Sequence, residues 1–482
     1  MRSLGSVSLL LSAVAAAAAR PSFLTSPFHR TTQQHPLSGH DDGFYSQTKL
    51  GGGGPRVIQQ NDSLCDAGAA QWTGTVPLGE DRNMFFWYFE SRANPETAPL
   101  IIWLNGGPGA SSMLGALFEV GPCSVSDDGK STVRNSRSWT NFANVLFLDQ
   151  PIGVGFSRPD DSTLWASNLL EAGIDFDKFL DQFFHIFPSV RNNQRHLAGE
   201  SFGGKYVPVY ASMTRKAFDS VILIDPLIDF SNSQLGIYDH FCPSGESSSQ
   251  KFPRYFNSTT CELMEESILG CEKAGEACRS TYNPFECRVA LETCTQFSAL
   301  YQREVVPGGR HPYDDRLTCD QPPLCGQLGM EPVTTYLNLP QVKASLGFPE
   351  NFDYSALNME MNLKWSNQSD ITTPSSREIS SLLDVNRIPV LVMNGANDVV
   401  TNAEGLIRTL DGLEWSHRAG FRSQTLSPFY YTSSNGGLVK GGTFKTRGNL
   451  TLAIIDNAGH MSPHDQPEAV MYFVTKWLAD LV

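Results

Sequence analysis

Beyond residue 19 this chain has no apolar run that could cross a bilayer, since a spanning helix needs about twenty consecutive apolar residues. Positive charge is also in short supply. Only 36 Lys and Arg stand against 50 Asp and Glu, a formal net charge of −14 at pH 7, which argues against nucleic acid or anionic membranes as partners. No two cysteines are spaced C-x₂-C, so the pairs that announce a zinc site are missing and no metal is expected. The Gly-rich segment 105–112 lacks the following Lys of a phosphate loop, which removes nucleotide binding. Nothing that remains calls for a cofactor.

What the chain does have begins with an address. Arg2, an apolar stretch over 9–19 and the small residues Ala17, Ala18 and Ala19 read as a secretory leader covering residues 1–19. Ten cysteines, an even number, and four N-x-S/T sequons at Asn61, Asn257, Asn367 and Asn449 agree with that route. The expected location is therefore secreted, with a vacuolar lumen as the alternative. Residues 20–56 are polar and include four consecutive glycines, 51–54, and read as a disordered pro-segment or linker.

From 57 to 482 the pattern is that of one catalytic domain. Short apolar, β-branched or aromatic runs at 84–89, 100–104, 144–149, 196–198, 221–224, 389–393 and 450–455 alternate with helical patterns. That alternation predicts an α/β fold with a mostly parallel central sheet flanked by helices. Between about 231 and 384 no clear sheet strand is evident, and eight of the ten cysteines fall between Cys242 and Cys325. This reads as a disulfide-stapled helical cap inserted into the sheet domain, because a segment too poor in apolar residues for its own core needs staples. Four bridges are expected there, with Cys319 and Cys325 spaced to close a small loop. Cys65 and Cys123 are left to pair with each other, and the remaining connectivity stays open.

The chemistry centres on Gly199-Glu200-Ser201-Phe202-Gly203, a G-x-S-x-G sequence after an apolar strand. In that setting it is a nucleophile elbow, whose sharp turn exposes the serine above the sheet. A nucleophilic serine needs a base, and the base an orienting acid, in the chain order Ser, Asp/Glu, His. Asp398 follows one late strand and His460 follows another. Backbone N–H groups from the segment 103–112 and from Phe202 are the natural oxyanion donors. Glu200 is the anomaly: a negative charge beside a nucleophile opposes oxyanion formation unless that carboxyl is protonated or recognises substrate.

The segments NGGPGASS (105–112), FEVGP (118–122), DQPIGVGFS (149–157), GESFGGKYVP (199–208), GANDVV (395–400) and AGHMSPHDQPEA (458–469) together resemble the serine carboxypeptidases, the carboxypeptidase Y-like family of α/β-hydrolases, nearest its extracellular fungal branch. The resemblance runs from about Cys65 to the C-terminus. It implies Ser201 as nucleophile, His460 as base and then acid, and Asp398 as orienter, with the N–H groups of Gly107 and Phe202 as oxyanion hole. It implies further that Glu200 pairs with Glu119 and, with Asn105, Trp103 and the Gly106 N–H, binds the terminal carboxylate of a peptide. Met461 would line the leaving residue's pocket. The implied activity is release of C-terminal amino acids from peptides or proteins through an acyl-enzyme, favoured at acidic pH. Two adjacent carboxyls do not both ionise readily, so one keeps a proton in weak acid and can donate to a carboxylate.

An acyltransferase or esterase on the same scaffold is the second enzymatic reading. A non-enzymatic secreted binding protein is the third, and a missing triad member would favour it; none is missing. The chain departs from the family pattern in four places. Ala110 stands where many relatives have a cysteine bonded to the cap, and Lys205 stands where a His is common. Asn397-Asp398 replaces a D-x-D spacing, and Ile224-Asp225-Pro226 replaces an I-G-N-G-type turn after an unusually short 210–221 connection.

Overall fold

The computed structural model describes residues 54–214, 217–242, 256, 258–304, 310–319, 325 and 329–481. The expected leader and nearly all of the expected pro-segment lie outside them. Along the chain run β1 (Arg56–Gln60), β2 (Gln71–Gly79), β3 (Arg82–Phe89), β4 (Leu100–Leu104), β5 (Cys123–Val125), β6 (Thr132–Arg134) and β7 (Asn144–Leu148). Then come α1 (Leu169–Ile186), β8 (Arg195–Glu200), α2 (Gly203–Met213) and β9 (Ser220–Ile224). Eleven strands form one sheet in the order β1-β2-β3-β7-β4-β8-β9-β12-β15-β14-β13, where β12 is Val390–Gly395, β13 Ser427–Thr432, β14 Leu438–Arg447 and β15 Leu450–Ile455.

From β7 to β15 neighbouring strands are parallel, and the flanking strands on both sides are antiparallel. Side chains alternate along the central strands. Leu100, Ile102 and Leu104 enter one core with α1 and α2, while Ile101 and Trp103 enter a second core on the opposite face. Burial on both faces explains why these strands read as continuous apolar runs. The structure is thus an α/β-hydrolase fold. The short connection after α2 is long enough, because β9 pairs in register with both β8 and β12.

The chain leaves the sheet after Ile224 and returns at Val390. Between them lie α3 (Phe230–Phe241), α4 (Ser258–Thr281), α5 (Pro284–Cys294), α6 (Gln296–Glu304), a ribbon of β10 (Arg310–His311) and β11 (Asp314–Thr318), then α7 (Met330–Leu337), α8 (Pro340–Leu346), α9 (Met359–Ser366) and α10 (Ser376–Ser381). Cys242–Cys261 ties α3 to α4, while Cys271–Cys294 and Cys278–Cys287 tie α4 to α5. Cys319–Cys325 closes a short loop, and Cys65–Cys123 lies in the sheet domain. No cysteine is left free. Their local core is small and partly made of the cystines themselves.

At Ala110, which offers no cysteine for a tether to the cap, the Gly-rich loop forms an antiparallel bridge with Leu357. Ser111 N–H donates to Ala356 O at 2.9 Å and Asn358 N–H to Gly109 O at 2.9 Å. Backbone pairing holds this join. The remaining helices are α11 (Ala403–Asp411), α12 (Arg418–Arg422), α13 (Ser462–Asp465) and α14 (Pro467–Ala479). Among the described residues no helix is long and apolar enough to cross a membrane.

Candidate active site

Parallel strands place their carboxyl ends on one edge, and the predicted triad and Gly-rich-loop residues follow or end such strands. The loop after β4 carries Asn105, Gly106 and Gly107, the elbow after β8 carries Ser201, and the turns after β12 and β15 carry Asp398 and His460. Ser201 has φ +59°, a left-handed conformation that a non-glycine residue holds only when its surroundings enforce it. Here Ser201 N–H donates to Ile224 O at 3.0 Å and Ser201 O accepts from Leu227 N–H at 2.8 Å. Glycine at 199 allows α2 to fold back, since a Cβ there would lie 2.6 Å from Val207.

His460 Nδ1 lies 2.8 Å from Asp398 Oδ2, and both side chains are buried. Burial pulls the imidazole pKa down, but the Asp398 charge and hydrogen bond, with Asp225 and Glu119 beyond, outweigh it and raise the pKa above its ordinary value. Ser201 is half-buried, and its hydroxyl makes no hydrogen bond to His460 among the described contacts. Such bonds are often long before substrate binds. Thr401, which the sequence reading passed over, donates its hydroxyl to Asp398 Oδ2 at 2.5 Å and lies 3.2 Å from His460 Nδ1. It sits three residues after Asp398, where its N–H also reaches Asp398 Oδ1 at 3.3 Å. An Asp followed three residues later by Thr was the available signal.

Gly106 packs directly on the elbow. A Cβ there would meet the Phe202 nitrogen at 2.4 Å and Glu200 O at 2.5 Å. The N–H groups of Gly106, Gly107 and Phe202 have no acceptor among the described backbone hydrogen bonds. The loop is held from behind by Asp149, whose oxygens accept from Ser111 Oγ at 2.5 Å, Ser112 N–H at 3.0 Å and Phe156 N–H at 2.8 Å. Burial lifts Asp149 to about 6 despite those donors.

Glu119 and Glu200 are brought together, both nearly inaccessible. Asn105 Nδ2 stands between them, 3.3 Å from Glu119 Oε1 and 3.4 Å from Glu200 Oε1. The Asn105 amide is fixed on its other side by Trp103 Nε1–H at 2.7 Å and Gly115 N–H at 3.0 Å, both donating to Oδ1. Trp103 is fully buried and spends its N–H on Asn105, so it orients the amide from behind. Among the described residues no amide or hydroxyl of another residue donates to the second oxygen of either glutamate, which leaves the two carboxyls to each other. Burial raises the Glu200 pKa well above normal, and the adjacent Glu119, by charge and by hydrogen bond, raises it further.

Met461 is half-buried beside His460. Of the four sequons, Asn61 and Asn367 are exposed, Asn449 is partly covered and donates to Arg387 O at 3.1 Å, and Asn257 lies outside the described residues. Among the described residues no cluster of His, Cys, Asp and Glu could hold a metal ion.

A family model for serine carboxypeptidases matches residues 64–480. Carboxypeptidase Y homolog A of Uncinocarpus reesii is 34% identical over 423 residues, covering 86% of this chain and 75% of that protein. A vacuolar serine-type carboxypeptidase of Saccharomyces cerevisiae is 33% identical over 422 residues, covering 85% of this chain and 79% of that one. Among solved structures, a prohormone-processing carboxypeptidase from Saccharomyces cerevisiae superposes with a TM-score of 0.72 at 26% identity, covering 88% of this chain and 94% of the other.

Proposed function

The chain belongs to the serine carboxypeptidase family, and from that premise we propose how its own residues divide the work of a serine-type carboxypeptidase on peptide substrates. Ser201 attacks the last peptide bond while His460 Nε2 takes its proton. Asp398 holds the imidazole and balances its charge, and the Gly107 and Phe202 N–H groups receive the oxyanion. The terminal amino acid leaves with the proton from His460, and water then hydrolyses the ester.

One observation carries the substrate assignment: the Glu119–Asn105–Glu200 cluster, buried and directly joined to the nucleophile. A raised Glu200 holds its proton in weak acid and donates it to the peptide's terminal carboxylate, beside the Asn105 amide and the Gly106 N–H. Once ionised at higher pH it repels that carboxylate. Affinity for free-acid peptides therefore falls as pH rises, which favours acidic conditions. Met461 lines the leaving residue's pocket. An esterase or acyltransferase has no use for this cluster, which ranks those activities second.

For the whole chain we propose a leader over 1–19, a pro-segment over 20–56 and a catalytic domain over 57–482 with a cap over about 231–384. The leader, the five disulfides and the sequons support secretion and the extracellular fungal branch, with the vacuolar lumen as the alternative destination. Wild type and Ser201→Ala, each given one peptide as free acid and as C-terminal amide, test the reading. Single-residue release from the free acid, weak release from the amide and loss of both in the variant are expected. Ester cleavage without peptide cleavage overturns it.

A further inference from the structure

The turn after β9 carries a buried carboxyl that the triad chemistry leaves unused. Asp225 is fully inaccessible and adopts φ +44°. Its Oδ1 accepts Gly395 N–H at 2.6 Å, at the end of the strand that leads to Asp398. Its Oδ2 accepts Ser462 N–H at 3.1 Å, two residues beyond His460. Its backbone carbonyl lies 3.0 Å from the Thr401 hydroxyl oxygen, whose single proton goes to Asp398 at the shorter distance. The residues on either side of its turn, Ile224 and Leu227, grip the backbone of Ser201. One residue thus stands at the junction of three loops that are far apart in sequence.

We propose that Asp225 is a positioning residue that holds the Asp398 and His460 loops in register with Ser201, and that it does so as a charged carboxylate acting as a second anion for the His460 imidazole. This rests on the triad roles proposed above. Both oxygens of Asp225 accept N–H donors, a pattern that the ionised carboxylate satisfies in full. Burial and then the Asp398 charge raise its pKa well above the ordinary carboxylate value, and His460 with the Gly395 and Ser462 bonds offsets only part of that, so the charged form rests on the two N–H donors and the adjoining imidazole.

The other groups around the imidazole are accounted for. Asp398 bonds it directly, and Glu119 adds negative charge from the Glu119–Glu200 pair. Tyr313 of the β10–β11 ribbon places its ring 5.2 Å from the imidazole, and its backbone carbonyl accepts the His460 backbone N–H at 2.7 Å. Asp314 lies against Gly459 but is neutralised by Arg316, which also pairs with Asp465. Glu200 is on the far side and itself feels the Asp225 charge.

Replacing Asp225 by Asn removes the charge with little change of shape. It also sets an amide NH₂ against one of two N–H donors, so only one of the two clasps survives. The probe is phenylmethanesulfonyl fluoride, which carries no carboxylate and so bypasses the glutamate pair. Its rate of covalent attachment to Ser201 is followed by mass spectrometry across pH in wild type, Asp225→Asn and Asp225→Ala. In Asp225→Asn the acid limb of that rate, which reports His460, is expected to move down by about half a pH unit or more. With peptide substrate, kcat falls roughly tenfold and KM stays within about twofold. A limb that coincides with wild type overturns the proposal, as does a loss confined to KM. Failure of the near-isosteric Asn variant to fold overturns it too, in favour of a purely structural carboxyl. Attachment anywhere but Ser201 in the wild type would instead sink the triad assignment and leave Asp225 aside.

Discussion

At the residue scale, the site separates groups that react from groups that aim them. Thr401 is the clearest of the second kind, with both its N–H and its O–H on Asp398. Hydrogen bonds to charged groups contribute roughly 1.5–3 kcal/mol, so Thr401→Val should lower kcat by about one to two orders of magnitude. KM for a blocked dipeptide acid should hardly move, and steady-state kinetics on that substrate checks both. Glu200→Gln probes the recognition side. A neutral amide can donate to a carboxylate at every pH, so the rise in KM expected of wild type from weak acid to mild alkali should flatten. If the variant's KM climbs as steeply as the wild type's, Glu200 is not the titrating group.

At the element scale, the Gly-rich loop meets the cap through the Ala110–Leu357 bridge. The two backbone bonds flank this pair instead of joining it, which defines the narrow, non-hydrogen-bonded antiparallel site where Cα atoms approach to about 4.5 Å. That spacing lies within the range a disulfide spans. Ala110→Cys combined with Leu357→Cys should therefore cross-link spontaneously under oxidising conditions, and mass spectrometry before and after reduction reads the two-hydrogen difference. Persistence of two free thiols would mean the bridge is more open than its hydrogen bonds imply.

The same scale shows what the sequence made legible. The β15 strand, Leu450–Ile455, coincides with the expected run, and the central parallel strands all stand out, because burial on both faces leaves only apolar residues to read. The antiparallel flanks β1, β2, β13 and β14 were not foreseen. β13 alternates buried and exposed positions, and β14 begins with three exposed residues, Leu438 being 75% accessible. The positions of Ser201, Asp398 and His460, the proposed triad, were legible because each follows such a strand. Asp225 was not, because its role depends on loops that meet only in three dimensions, whereas Thr401 had a local signal, three residues after Asp398, that was passed over.

At the scale of the whole molecule, one ion cluster spans the cap and the sheet domain. His240 of α3 lies 3.1 Å from both Asp315 of the ribbon and Glu404 of α11. Burial lowers its pKa, but the two carboxylates more than compensate and raise it from 6.5 to about 10. A histidine whose folded pKa is raised adds stability that is complete below its unfolded pKa and disappears as pH climbs through the folded one. The protein should thus lose stability between about pH 6.5 and 10. Chemical denaturation in His240→Gln should show a flatter decline across that window, and an equally steep one would assign the loss to other groups. Asp315 also receives the Asn397 amide at 2.8 Å, next to Asp398, so alkaline loosening of the cap reaches the catalytic loop.

Glu200 and Ser201 are consecutive residues on a single rigid turn, and this adjacency governs how a long substrate is consumed. With Glu200 as the proposed anchor and Ser201 as the proposed blade, the two are fixed one residue apart and cannot shift relative to each other. After each cut the new chain end lies at the blade, one step away from the anchor, and has no grip there. The shortened peptide must let go and re-enter before the next cut. Digestion should therefore proceed as a ladder of intermediates that accumulate in solution, each competing afresh with intact substrate, and its tempo should be set by how quickly each newly exposed end fits the pocket proposed beside Met461.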